Sequence, residues 1–284
     1  MLAEGDSTKN RVWFITGVSS GFGRAIAEVA LSRGCRVVGS VRRQEQVVSF
    51  EKFAPGRARA VSFDIAYAAT IAPAVETAIA AFGQIDVLVN NAGNALLGAL
   101  EEISDDQFRQ QMETNFFGAV SITRALLPHM RLRRTGHIVY ITSVGGFVGG
   151  PGWSAYCASK FALEGLVDCL ALEVEPLGLH VMTVEPGAFR TNLGSSGTTP
   201  VERLISDYDE SVGKTREWRA TSAGRESGDP VKAAEAIYNA ISSSHPPRRL
   251  VLGDDALQAV RSKLEYMKRE LADWAAVSMG TSFQ

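Results

Sequence analysis

The stretch "RVWFITGVSSGFG", Arg11 to Gly23, decides how the chain reads. Its first half is a β-branched and aromatic run bounded by glycine, the mark of a short buried strand. Its second half is a glycine-rich turn, and the apolar spacing after it predicts a helix over 22–33. Strand, glycine turn and helix together let backbone amides approach a pyrophosphate at a helix N-terminus, which favours negative charge. The spacing of Gly17, Gly21 and Gly23 is G-x3-G-x-G rather than the G-x-G-x-x-G of the common dinucleotide fingerprint. Glycines alone mark any tight turn; the strand before and helix after make this a nucleotide-loop candidate.

The same alternation continues outward. "CRVVGSV", "ARAVSFD", "IDVLVNN", "GHIVYIT", "LHVMTVE" and "RRLVLG" read as further strands, and residues 43–53, 70–82, 104–133, 154–176 and 230–243 as helices. Strands separated by helices imply βαβ units. The fold class is α/β, a Rossmann-like doubly wound parallel sheet of about seven strands with helices on both faces, in a single domain over 1–284. Two helix starts are signalled: "SDDQ" at Ser104 reads as a capping box, and Asp229-Pro230 places proline at a first helical position. Pro128 is expected to bend or end its helix.

One segment breaks the rhythm. Residues 194–228 are polar and rich in Gly, Ser and Thr, the length of a functional lid or mobile loop, with "VERLISDY" as a candidate short helix. At the end of the chain, Leu257, Val260, Leu264, Met267, Leu271 and Trp274 form one apolar stripe on a terminal helix over 254–277. Such a stripe either packs on its own domain or makes a subunit contact.

Composition narrows the function. With 284 residues, 45% of them hydrophobic, the chain has enough apolar material for a large α/β core. Lysine and arginine number 29 against 31 acidic residues, a balance of −2 that gives no footprint for nucleic acid or an anionic membrane. The opening "MLAEGDSTKN" has no signal-like apolar core, and no run approaches the roughly 18 apolar residues of a spanning helix, so a soluble cytoplasmic protein is expected. Three cysteines form no CxxC and four histidines form no metal pair.

Candidate chemistry gathers at the strand ends. After the second strand, "VVGSVRRQ" puts Val41 where many dinucleotide folds place an acidic residue, followed by Arg42 and Arg43. No carboxylate is available there for a ribose 2′-hydroxyl. An arginine fork suits a 2′-phosphate, with Ser19 or Ser20 as a further donor, so NADP(H) is favoured over NAD(H). "NNAG", Asn90 to Gly93, ends the fourth strand, and Ser143 follows the fifth in "YITSVGG". Asn115 sits inside a helical pattern where asparagine has no propensity advantage. In "SAYCASKFALEGL", residues 154–166, Tyr156 and Lys160 share a helix face that continues through Leu163, Val167 and Leu170. A lysine opening an apolar stripe needs a polar partner.

Taken together, in this order and with Ser143 thirteen before Tyr156 and Lys160 four after it, these residues resemble the classical short-chain dehydrogenase/reductase family. The likeness runs from about Arg11 to Thr191. It implies that Tyr156 is the general acid or base, giving a proton to a carbonyl oxygen as hydride passes from a nicotinamide to the carbonyl carbon, or the reverse. Lys160 lowers the phenol's pKa and bonds the nicotinamide ribose; Ser143 polarises the substrate oxygen; Asn115 holds a relay water. The resemblance also implies cofactor contacts from Thr16, Gly17, Ser19, Ser20, Gly21 and Gly23 in the pyrophosphate loop, from Arg42, and from Asp64 at the adenine. Asn91, Ala92 and Gly93 form the wall beside it, Tyr156 and Lys160 touch the nicotinamide side, and Pro186, Gly187 and Thr191 in "VEPGAFRT" match the carboxamide segment.

"SVR" after strand two is similar to NADP(H)-preferring members of the family. The terminal helix resembles that of longer hydroxysteroid and retinol reductases rather than small tetrameric bacterial members, and a homodimer or homotetramer is expected. Cys157 replaces a frequent glycine or serine without a stated consequence. Two other functions fit part of the pattern: a non-catalytic NADP(H) redox sensor, which needs no Tyr156, Lys160 or Ser143, and an epimerase or dehydratase, which usually carries G-x-x-G-x-x-G and a larger substrate domain. The expected partner is a small carbonyl or alcohol, uncharged and fairly hydrophobic, because its pocket should be walled by 194–228, Gly145 to Trp153 and "NALLGAL".

Overall fold

The structure is a computed structural model that describes residues 10–194 and 197–283; the opening residues 1–9, residues 195 and 196 of the lid segment and residue 284 lie outside it. All seven expected strands form: β1 Val12–Ile15, β2 Arg36–Val41, β3 Ala58–Ser62, β4 Val87–Asn90, β6 Gly136–Ile141, β7 Leu179–Pro186 and β9 Arg249–Leu252. They make one parallel sheet in the order β3-β2-β1-β4-β6-β7-β9. The chain reverses its direction of travel between β1 and β4, so a crevice opens there at the carboxyl ends of the strands.

Two-residue periodicity divides the core. Trp13 and Ile15 of β1, with Val139 and Ile141 of β6, face one layer; Val12, Phe14, Ile138 and Tyr140 face the other. The first layer is completed by α1 (Gly21–Ser32) and α8 (Pro230–Ser242), and the second by α3 (Ala68–Phe82), α5 (Gly118–Arg133) and α6 (Ser154–Val174). The strands therefore have two buried faces, which is why they read as nearly continuous apolar runs.

Helix boundaries follow local chemistry. Ser104 Oγ accepts from Gln107 N at 3.2 Å and Gln107 Oε1 from Ser104 N at 3.1 Å, the reciprocal box expected before α4 (Asp105–Met112). Asp229 caps α8 through Val231 N at 2.8 Å. The predicted helix over 104–133 is interrupted: a π turn, Glu113–Phe117, separates α4 from α5 and turns Asn115 into the interior. Pro128 does not end α5, which runs on to Arg133.

Two expectations fail. "VERLISDY" is helical only at its end, a 3-10 turn over Ser206–Tyr208, because Ile205 N donates to Glu102 Oε1 at 2.9 Å and keeps the residues before it out of the helix after β8 (Thr198–Pro200). The helix of this segment comes later, as α7, Lys214–Ser222. β8 pairs in parallel with β5 (Ala95–Leu97), tying the lid to the loop beyond β4. The terminal stripe also does not pack on its own domain beyond its first turn. In α9 (Asp254–Asp273) Ala256 is buried, whereas Leu257, Leu264, Met267 and Leu271 are exposed, as is Trp274 just after it.

Candidate active site

A cavity of about 460 Å³ lies at the carboxyl edge, between the strand ends and the lid. Gly17, Ser19, Ser20 and Gly21 line it at the β1 turn, Arg42 and Asp64 at one end, Asn91 to Gly93 along one wall, and Pro186, Gly187 and Thr191 along the other. Ser143, Tyr156 and Lys160 close the far end. Residues far apart in sequence thus meet because each terminates a strand or opens the helix that follows it.

Three expected site residues stand behind this surface rather than on it. Thr16 is fully buried, and its Oγ1 accepts from Asn91 N and Ala92 N, both at 2.9 Å, fastening the end of β1 to the end of β4. Gly23 supports the loop by absence: a Cβ there would stand 2.3 Å from Gly17 O and 2.4 Å from Asn91 Nδ2. Gly17 and Gly21 have φ of +75° and +59°, values that favour glycine, so the turn that presents its amides depends on all three. Asn115 Oδ1 accepts from Asn94 N at 3.0 Å, while its Nδ2 donates to Asn94 O at 2.9 Å and Ser159 Oγ at 3.0 Å. Its amide donors are committed to the loop after β4 and to Ser159 of α6.

The Tyr156–Lys160 end is strongly desolvated. Burial pushes the Tyr156 phenol up to about 12, with its Ser143 contact and the Arg219 charge opposing that rise. Lys160 Nζ lies 5.7 Å from the Tyr156 ring centroid and donates to Ile141 O at 2.8 Å. Burial draws its ammonium down to about 8, and Glu164 one turn further on partly holds it up. Glu164 is itself buried and pushed up to about 7 by that burial, with Glu185 adding to the rise. Its Oε2 accepts from Arg249 at 2.6 Å, and the same guanidinium serves Glu185 at 3.1 Å and Asp168 at 2.9 Å. The polar partner that the apolar stripe demanded of Lys160 is therefore a strand-end carbonyl, backed by a carboxylate.

At the opposite end Arg42 and Arg43 part company. Arg42 is exposed and lines the cavity; Arg43 turns to Glu45 at 3.3 Å and does not. Val41, buried at the end of β2, offers no acceptor to a ribose. The crevice, its glycine turn and the Tyr156–Lys160 end fit a nicotinamide dinucleotide laid from Arg42 past the β1 loop to Pro186–Thr191.

The expected substrate walls are partly replaced. Asn94 and, from the lid, Gly197, Thr199 and Arg219 line the cavity, but Gly145 to Trp153 do not. That stretch stands behind the phenol: Trp153 meets Tyr156 edge-on with centroids 5.8 Å apart. Arg219 was not foreseen. No local pattern marks it, since only the folding of α7 over the site brings it in; Phe189 and Leu193 also join the lining.

The fold is a dinucleotide-binding one, and Ser143, Tyr156 and Lys160 meet at its strand ends. The model for the short chain dehydrogenase family matches residues 11–200. Oxidoreductase BOA17 of Botryotinia fuckeliana is 36% identical over 274 residues, 96% of this chain and 99% of that protein. The crystal structure of a short-chain dehydrogenase from Streptomyces avermitilis is 44% identical, with a TM-score of 0.90 over 96% of this chain and 98% of that one. A Burkholderia phymatum short-chain dehydrogenase/reductase in complex with NAD shares the fold, with a TM-score of 0.81 at 23% identity over 93% of this chain and 96% of that one. The chain belongs to the short-chain dehydrogenase/reductase family. Among the described residues no group of side chains is arranged to hold a metal ion, and no helix is long and apolar enough to cross a membrane.

Proposed function

We propose that the protein is an NADPH-dependent carbonyl reductase interconverting a ketone and a secondary alcohol, or an aldehyde and an alcohol, on an uncharged, largely apolar substrate. The observation that carries this reading is the meeting of Ser143, Tyr156 and Lys160 at one end of a cavity whose other parts are a glycine turn and Arg42. A bound nicotinamide supplies the hydride. The chain's own residues do the rest: Ser143 fixes the carbonyl oxygen, and Tyr156 gives it a proton. Lys160, as an ammonium, would pass a proton back to the phenol and regain one from solvent.

NADP(H) over NAD(H) rests on Arg42, an uncommitted guanidinium fork at the adenosine end with no acidic residue at Val41. Arg42→Ala should raise the KM for NADPH by about tenfold or more while changing that for NADH little; equal changes would remove the 2′-phosphate assignment. The function itself is tested by mixing the protein with NADPH and a panel of ketones and aldehydes. Nucleotide oxidation with some of them is expected; none with any would leave a redox sensor as the better reading. A cytoplasmic homodimer or homotetramer remains part of the proposal, to be checked by light scattering.

A further inference from the structure

Helix α9 is fastened to the domain at its start. Asp255 Oδ2 accepts from Ala188 N at 2.8 Å, Ala256 is buried, and the helix packs on β9 and on the turn Val144–Gly146. Further along it stands clear of the domain: every residue from Leu264 to Trp274 is exposed. Leu264 is 51% exposed, Leu271 71% and Trp274 64%. An isolated helix in water is marginal, and most helical stability in proteins comes from packing of the apolar face. An apolar face on about three projecting turns therefore calls for a cover.

Apolar spacing alone does not say what covers the face; its symmetry and its charges do. Leu257, Val260, Leu264, Met267, Leu271 and Trp274 follow one another at intervals of three, four, three, four and three. That series reads the same in both directions about a midpoint between Leu264 and Met267. Two copies laid antiparallel across a two-fold axis at that midpoint set each apolar residue level with another: Leu264 with Met267, Val260 with Leu271, and Leu257 with Trp274. The charges on one flank obey the same symmetry. Lys263 and Glu270 are seven residues apart beside the stripe, so each lysine meets the other copy's glutamate, and the pair is made twice. On the other flank Arg261 approaches Lys268, and Glu265 lies within one turn of both on its own helix. A parallel pair would instead set Lys263 against Lys268. A lipid surface fits less well. Residues 254–279 carry four basic and five acidic side chains, whereas helices that lie on membranes have polar faces rich in lysine and arginine.

We propose that α9 is a self-association surface: two copies of the chain join through antiparallel α9 helices, with Leu264 and Met267 at the two-fold axis. This rests on the reading of the protein as an oligomer and names the surface that builds it. Because each domain holds its helix by the N-terminal end, the antiparallel arrangement places the two domains at opposite ends of the pair.

Disulfide trapping tests the pairing in the full chain, with the exposed Cys169 changed to serine. A mixture of Leu257→Cys and Trp274→Cys proteins should give a covalent dimer on air oxidation, and neither protein alone should. Linkage of either one alone would mean a parallel pair and overturn the register. Leu264→Glu, which changes an exposed side chain outside the core, should raise the dissociation constant of the dimer about 100-fold or more, measured by light scattering on dilution. Lys263→Glu should weaken the dimer about threefold or more, and adding Glu270→Lys to it should restore the association. An oligomer that survives Leu264→Glu unchanged would overturn this surface while leaving the oligomer itself. A monomer at every concentration would overturn both, and its binding to phosphatidylcholine vesicles would give the stripe to a lipid surface instead.

Discussion

The two walls of the cavity are built on opposite terms. On the strand-end side Asn91 and Lys160 line the cavity and Thr16 and Asn115 stand behind it, and each is hydrogen-bonded to another element. On the lid side the contacts converge on one buried carboxylate, Glu102, which pairs with Arg216 and accepts from Ala99 N and Ile205 N. A fully satisfied polar network is rigid and holds one geometry. The difference teaches that the strand-end side is held by many bonds of the sheet layer, and the lid largely by its contacts to Glu102.

Changes on the two walls should therefore fail in different ways. The largest effect is expected from Lys160→Met, which should lower kcat/KM for carbonyl reduction by about 100-fold or more. It should also alter the pH profile. Burial places the Lys160 ammonium at about 8, below the ordinary lysine value, so the charged form is full at lower pH and is lost as pH rises through that point. Activity in the unaltered protein should fall above that pH, and the variant should lack the fall. A profile left unchanged would mean that Lys160 is scaffold.

Gly23→Ala should come next, because its Cβ would press on Gly17 O and the Asn91 amide at 2.3 Å and 2.4 Å. We expect a stability loss of about 1–3 kcal/mol by denaturant unfolding and a clear loss of NADPH affinity. Retained affinity would show that the glycine turn does not present the cofactor. The smallest effect should come from the lid: Arg216→Met, which unfastens α7 from Glu102, should raise the carbonyl KM about threefold with the NADPH KM nearly constant. A matching rise for NADPH would erase the distinction between the walls.

This contrast also explains what could be read from the sequence. Each seven-strand element was visible because a strand buried on two faces leaves an apolar run between turn signals, and Tyr156 and Lys160 were visible because a helix places residues four apart on one face. Neighbours at the strand ends are fixed by the sheet, so the motif order alone places them together. The lid follows no such rule. Arg216 reaches Glu102 across 114 residues, and Arg219 enters the cavity only through the way that α7 folds back. The π turn at Asn115 was hidden for a related reason: helical spacing does not reveal an inserted residue. The stripe on α9 was legible as a helix but not as a surface, because amphipathic spacing shows that a face is apolar and not what covers it.

The central claim is that the first turn of α6 is an acid/base site and not scaffold. It is tested most directly by measuring NADPH binding and carbonyl turnover on the same preparation of Tyr156→Phe. The phenylalanine keeps the ring against Trp153 and removes only the hydroxyl. The account predicts unchanged nucleotide affinity with kcat reduced by about 100-fold or more. Turnover close to that of the unaltered protein would contradict it.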